Sequence, residues 1–197
     1  EDRDAGPPSW RQPGLPSRLT SFVGRDRHLA EVRRLLVGPG RLVTLTGFGG
    51  VGKTRLALEV AASVLDRSVI SGPAYPDGVH LVELAALGDP LLVPRAVATV
   101  LGLDEQADRS LPDLLISSLR RRRALLVLDN CEHLIAASAQ LVEPLLRAAP
   151  NLRVLATSRE GLGVAGETVW RVPSMSVPAP SEVTAPDALG QYEAVRL

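Results

Sequence analysis

The stretch Gly47-Phe48-Gly49-Gly50-Val51-Gly52-Lys53-Thr54 decides how the rest of the chain is read. Its spacing is G-x-x-x-x-G-K-[ST], after an apolar, β-branched run at 41–46 and before a helical stripe of Leu56, Val60 and Val64. Glycines at such a turn let successive backbone N–H groups face inward, and a helix start adds partial positive charge, so the loop suits phosphate oxygens. Lys53 supplies a compact cation for the β- and γ-phosphates, and Thr54 offers a hydroxyl to Mg²⁺. The same glycines satisfy G-x-G-x-x-G through Gly47, Gly49 and Gly52, the spacing of a dinucleotide site. That alternative needs no Lys-Thr pair and wants an acid about 20 residues on. Residues 68–73, near that distance, contain none.

On either side of this loop, the spacing predicts a helix over 26–37, a strand over 41–46 and a helix over 54–65. A strand at 79–84, helices at 91–101 and 111–122, and a strand at 124–128 follow. Then come a helix at 133–147 and strands at 152–157 and 168–172. Ser110 and Asp113 have the spacing of a capping box at the start of the second of the paired helices. Alternation of this kind implies an α/β fold in three layers, with helices on both faces of a parallel sheet of about five strands. Ligands of such sheets bind beyond the carboxyl ends of the strands.

Two of those strand ends carry chemistry. Leu125-Leu126-Val127-Leu128-Asp129 is an apolar run ending in an acid, which can hold Mg²⁺ opposite the phosphate loop or cap the following helix. Paired with the loop, the magnesium role is preferred. The next residue is Asn130, which can orient a water but cannot take its proton. Glu132 could substitute for the missing acid, or could favour the start of the next helix, and the helix role is preferred. Cys131 and His133 are expected to be packing and surface residues. At the end of the 152–157 strand, Thr157-Ser158-Arg159-Glu160 places a guanidinium where a γ-phosphate would sit. The plainer alternative is a surface pair between Arg159 and Glu160.

Composition narrows the class. The 197 residues are 45% hydrophobic, and 22 basic against 22 acidic side chains give a net charge of zero, which argues against a dedicated nucleic-acid surface. Among the 22 basic residues Lys53 is the one lysine, the others being arginine. No apolar run approaches the length of a membrane span, and the charged opening at residues 1–4 is not what is expected of a signal peptide. One cysteine fits a reducing cytoplasm, and one cysteine with three dispersed histidines disfavours a structural zinc. The Pro-rich segment 1–17 reads as a linker arm, 18–176 as the nucleotide-binding domain, and 177–197 as a linker and the start of a truncated helical lid. The start at Glu1 and the helix-like pattern at 187–197 are expected of a fragment.

Four segments in this order resemble the STAND class of P-loop ATPases, relatives of AAA+ and NB-ARC domains: residues 19–25, 46–57, 126–133 and 156–160. More narrowly, the chain is similar to the nucleotide-binding domain of large bacterial transcriptional regulators of the antibiotic-regulatory and LuxR types, over about 15–176. The resemblance implies a P-loop NTPase fold, ATP and ADP as ligands with Mg²⁺, and a bacterial cytoplasmic setting. It implies that Phe22, Val23 and Arg25 border the base, that residues 47–54 with Arg55 line the phosphates, and that Arg159 reads the γ-phosphate. Asn130 departs from the paired acids of these relatives, which implies slow hydrolysis. Lid, sensor and effector domains complete the class, with self-association on activation and DNA contact through domains outside this chain.

The functional expectation is therefore a nucleotide-dependent switch controlling an attached transcription module. An AAA+-type motor on DNA is the alternative, with Arg120, Arg121, Arg122 and Arg123 as its candidate basic patch. At the end of a predicted helix these four are better read as partners of the helix dipole and a solvated face. A small-molecule kinase would need an acceptor site, and no acid or arginine constellation supplies one.

Overall fold

The computed structural model describes residues 25–65, 74–105 and 108–174. Runs of β-branched and leucine side chains form five strands: β1 (Leu42–Thr46), β2 (Val79–Glu83), β3 (Leu125–Asp129), β4 (Arg153–Ser158) and β5 (Glu167–Arg171). They make one parallel sheet in the order β2-β3-β4-β1-β5. Five helices connect or flank them: α1 (Asp26–Val37), α2 (Lys53–Leu65), α3 (Val93–Val100), α4 (Leu111–Leu119) and α5 (Ile135–Ala148). No helix among the described residues is long and apolar enough to cross a membrane.

The sheet is covered on both faces because its strands are apolar on both. On one face Val43, Leu45, Leu125, Val127 and Leu155 pack with Val32 and Leu36 of α1 and Leu56 and Val60 of α2. On the other, Leu42, Leu126, Leu128, Val154 and Ala156 pack with α3, α4 and α5 through Val97, Leu115, Leu141 and Leu145. Residues alternate between the two cores along β3, as the pleat requires. The expected three-layer α/β/α architecture and five-strand parallel sheet are present.

Boundaries differ in places where a side chain intervenes. The predicted helix at 91–101 is split: Asp89 Oδ1 accepts from Leu91 N–H (2.9 Å) and caps a 3₁₀ turn at Pro90–Leu92, and α3 starts only at Val93. Pro94 is tolerated there because the first helical N–H groups have no intrahelical acceptor. The helix predicted to reach 122 stops at Leu119, so Arg120 to Arg123 form the turn into β3 instead of a last helical turn. Arg123 N–H donates to Asp77 Oδ2 at 2.7 Å, which pulls the chain out of the helix there. The helix expected from 133 begins at Ile135, after a 3₁₀ turn at Cys131–His133. Of the capping box the N-cap half is present: Ser110 Oγ accepts from Asp113 N–H, while its hydroxyl donates to the Asp113 carboxylate at 2.6 Å in place of the reciprocal backbone bond.

Leu126 is 1% exposed at the centre of the second core. Leu126→Ala should lower the unfolding free energy by about 2–5 kcal/mol, read from the urea midpoint at unchanged slope.

Candidate functional site

The strand order brings together residues far apart in the chain. β4 lies between β1 and β3, with Leu45 beside Thr157, Thr46 beside Ser158 and Leu128 beside Ala156. The carboxyl ends of β1, β4 and β3 therefore form one edge, carrying in order the glycine loop, the Thr157-Ser158-Arg159 segment and Asp129.

The loop 47–52 needs its glycines. Gly47, Gly50 and Gly52 have φ of 147°, 78° and 90°, a region that side chains disfavour. At its end α2 opens directly on Lys53, whose backbone lies in the first helical turn. The Lys53 side chain is buried at 8% exposure, and its ammonium donates to Gly47 O (2.9 Å) and Phe48 O (3.1 Å). The cation is thus folded back into the loop, held by carbonyl dipoles and by no carboxylate among the described residues. Phe48 projects from the loop tip and is 75% exposed, Val51 is half-buried, and Gly49 has open space around it. Arg55, one turn into α2, pairs with Glu59 at 3.1 Å.

Asp129 is the hub of the edge. Its Oδ1 accepts from Thr54 Oγ1 at 2.8 Å and from Thr157 Oγ1 at 2.5 Å, and Thr157 Oγ1 in turn accepts from Asn130 N–H at 2.9 Å. The helix-cap alternative for Asp129 does not hold, since its carboxylate faces the loop and Asn130 precedes the next turn. Asn130 has φ 66° and ψ 51°, the one left-handed non-glycine residue among those described. Asparagine tolerates that conformation better than most side chains, so it serves the turn out of β3. Thr157 stood in the segment singled out from sequence, but its link to Asp129 follows from cross-strand register alone.

Arg159 lies at this edge, 71% exposed at the side chain, and its partner is Glu132 at 3.4 Å, not Glu160. Glu132 in turn stands in the first turn of the 3₁₀ segment that precedes α5, whose own first turn carries no acid. Arg25 is 3% exposed; it donates to Pro173 O at 3.0 Å, and its guanidinium lies against Gly52, where a Cβ would come within 3.4 Å of Nη1. Phe22 and Val23, the arm 1–17 and the 187–197 segment lie outside the described residues. Cys131 and His133 are a packing and a surface residue, as expected: Cys131 is buried with Sγ 3.5 Å from Leu128 O, and His133 Nε2 donates to Leu87 O at 2.8 Å.

Chemically, the edge offers one ammonium for an anion, and a hydroxyl with a carboxylate as hard oxygen donors. Residues 21–156 match the family model described as the AAA ATPase domain. A Mycobacterium tuberculosis protein described as an HTH-type transcriptional regulator is 49% identical over 144 residues, covering 73% of this chain and 15% of that protein. The regulatory protein AfsR of Streptomyces griseus is 33% identical over 157 residues, covering 74% of this chain and 15% of that protein. Among solved structures, a STAND protein with a tetratricopeptide repeat sensor from Pyrococcus horikoshii superposes with a TM-score of 0.55 at 17% identity. That superposition covers 91% of this chain and 28% of the Pyrococcus chain, and the likeness is one of fold. This chain spans 15% of the length of the two regulators.

Burial pushes the Cys131 thiol up to about 12. With its thiolate suppressed, the single cysteine should be silent to a disulfide reagent at pH 8 in the native protein. One thiol per chain should appear only on denaturation; native labelling at the denatured rate would contradict the burial.

Proposed function

The chain belongs to the AAA ATPase domain family, and from that premise we propose that it is the ATP- and ADP-binding switch domain of a larger regulator. The observation that carries this reading is the inward-turned Lys53 ammonium inside a glycine loop, set beside the Thr54–Asp129–Thr157 cluster. In this proposal the N–H groups of residues 47–54 surround the phosphates, and Lys53 exchanges its two carbonyl acceptors for phosphate oxygens. Arg55 and the segment with Phe22, Val23 and Arg25 complete the nucleotide contacts. The Arg25 guanidinium against Gly52 supports that placement.

Thr54 Oγ1 and the Asp129 carboxylate, 2.8 Å apart, are the donor types Mg²⁺ accepts alongside waters and phosphate oxygens. These two side chains would hold the ion, which when bound neutralises charge on the phosphates. Thr157 keeps Asp129 aimed at Thr54. Asn130 can align a water through its amide but takes no proton, so we assign slow turnover to the domain. Arg159, at the same edge, contacts the terminal phosphate and separates ATP from ADP.

The domain is proposed to occupy 18–176, flanked by an arm and by the start of a lid. The relatives named as an HTH-type transcriptional regulator and a regulatory protein, and the sensor-bearing STAND neighbour, support coupling to lid, sensor and effector domains elsewhere in the full protein. DNA contact and self-association on activation belong to that larger assembly, within the cytoplasm.

Lys53→Ala should abolish ATP and ADP binding measured by calorimetry, since charge-assisted contacts contribute about 1.5–3 kcal/mol each. Undiminished affinity would remove the phosphate-loop assignment. Arg159→Ala should weaken ATP binding by about tenfold while sparing ADP, on the same scale of contact strength. Equal losses would speak against terminal-phosphate recognition.

A further inference from the structure

Arg159 leaves β4 into a loop that is tied at both ends. Glu160 N–H donates to Ser158 Oγ at 3.4 Å, and the N–H groups of Leu162 and Gly163 each donate to the Glu167 carboxylate at 2.8 Å. Glu132 stands on an equally constrained turn. Its neighbour His133 is bonded to Leu87 O at 2.8 Å, Cys131 Sγ to Leu128 O at 3.5 Å, and Leu134 N–H closes on Cys131 O at 2.9 Å.

Between these two held backbones runs one ion pair, from Arg159 Nε to Glu132 Oε1 at 3.4 Å. Contact through the Nε edge leaves the two terminal nitrogens of the planar fork for another acceptor. The two side chains differ in environment: Arg159 is 71% exposed and Glu132 only 18%. Moreover, Glu132 Oε2 is buried without a hydrogen-bond partner. A carboxylate oxygen so placed costs stability, and an exposed surface pair would not require it. An alkyl side chain would avoid that cost but would lose the charge facing Arg159.

We propose that Glu132 is a positioning residue for Arg159 and thereby sets the preference of the site for ATP over ADP. It grips the guanidinium by its Nε edge, so that the terminal N–H groups face the last phosphate of a bound nucleoside triphosphate. This inference rests on the nucleotide reading given above. Without the grip, the long arginine stem loses its orientation, and part of the contact energy goes into ordering it. A diphosphate, ending one phosphate short of Arg159, is indifferent to the change.

The test is calorimetry of ATP and ADP binding to the unaltered chain, Glu132→Gln, Arg159→Ala, the double variant and Lys53→Ala. Glu132→Gln is expected to weaken ATP about fivefold, the scale of a partly exposed ion pair, with ADP unchanged. In the Arg159→Ala background it should add nothing, because the two residues act through one contact. Equal loss of both nucleotides, no loss of either, or full additivity with Arg159→Ala overturns the role of Glu132. If Glu132→Gln does not fold, judged by thermal unfolding, Glu132→Asp reads the same split, since a side chain one methylene shorter withdraws its carboxylate from Nε. Lys53→Ala keeping both affinities removes the nucleotide reading itself. Lys53→Ala losing both, beside a silent Glu132→Gln, removes only the positioning role.

Discussion

One carboxylate oxygen, Asp129 Oδ1, joins three elements of the sheet edge. It accepts from a hydroxyl at the start of α2 and from another near the end of β4, while its own backbone ends β3. Charge-assisted hydrogen bonds of this kind are short and directional. They fix how far the glycine loop stands from the central strand, and so the width of the cleft beneath any bound phosphate. Because β4 is inserted between β1 and β3, the hub needs these three strands side by side. Local sequence supplies the parts, and the strand order supplies the site.

That division explains what could be read in advance. The uniformly apolar β3 and the helix stripe after Lys53 carry their structure in local pattern, so the layers and the loop were legible. Thr157 as the partner of Asp129 was not, because the pairing depends on cross-strand register between segments 28 residues apart. Nor was the partner of Arg159, since Glu160 is its neighbour in sequence and Glu132 is its neighbour in space. The early end of α4 is a third case. Asp77 takes the N–H of Arg123 from across the sheet's other edge, a tertiary contact that overrides helical periodicity.

The preponderance of arginine also gains a physical reading beyond composition. Arg41 donates to the carbonyls of Leu146 and Ala149 at the end of α5. Arg153 donates to Leu36 O and Gly38 O at the end of α1, each at 3.3 Å. Both serve acceptors that a helix leaves unpaired at its carboxyl end, with a forked donor able to reach two at once. Positive charge is thereby spent inside the domain at the edge away from the glycine loop. The one lysine is kept where a compact ammonium fits among backbone carbonyls.

The left-handed turn at Asn130 has an evolutionary implication. A glutamate at that position would supply the proton acceptor that Asn130 lacks, but it would sit in a conformation costing about 1–2 kcal/mol for an ordinary side chain. The shape of the turn thus stands as a barrier to a longer acid at this position. Crossing it by single substitution favours aspartate, whose short side chain shares asparagine's tolerance, over the longer acid.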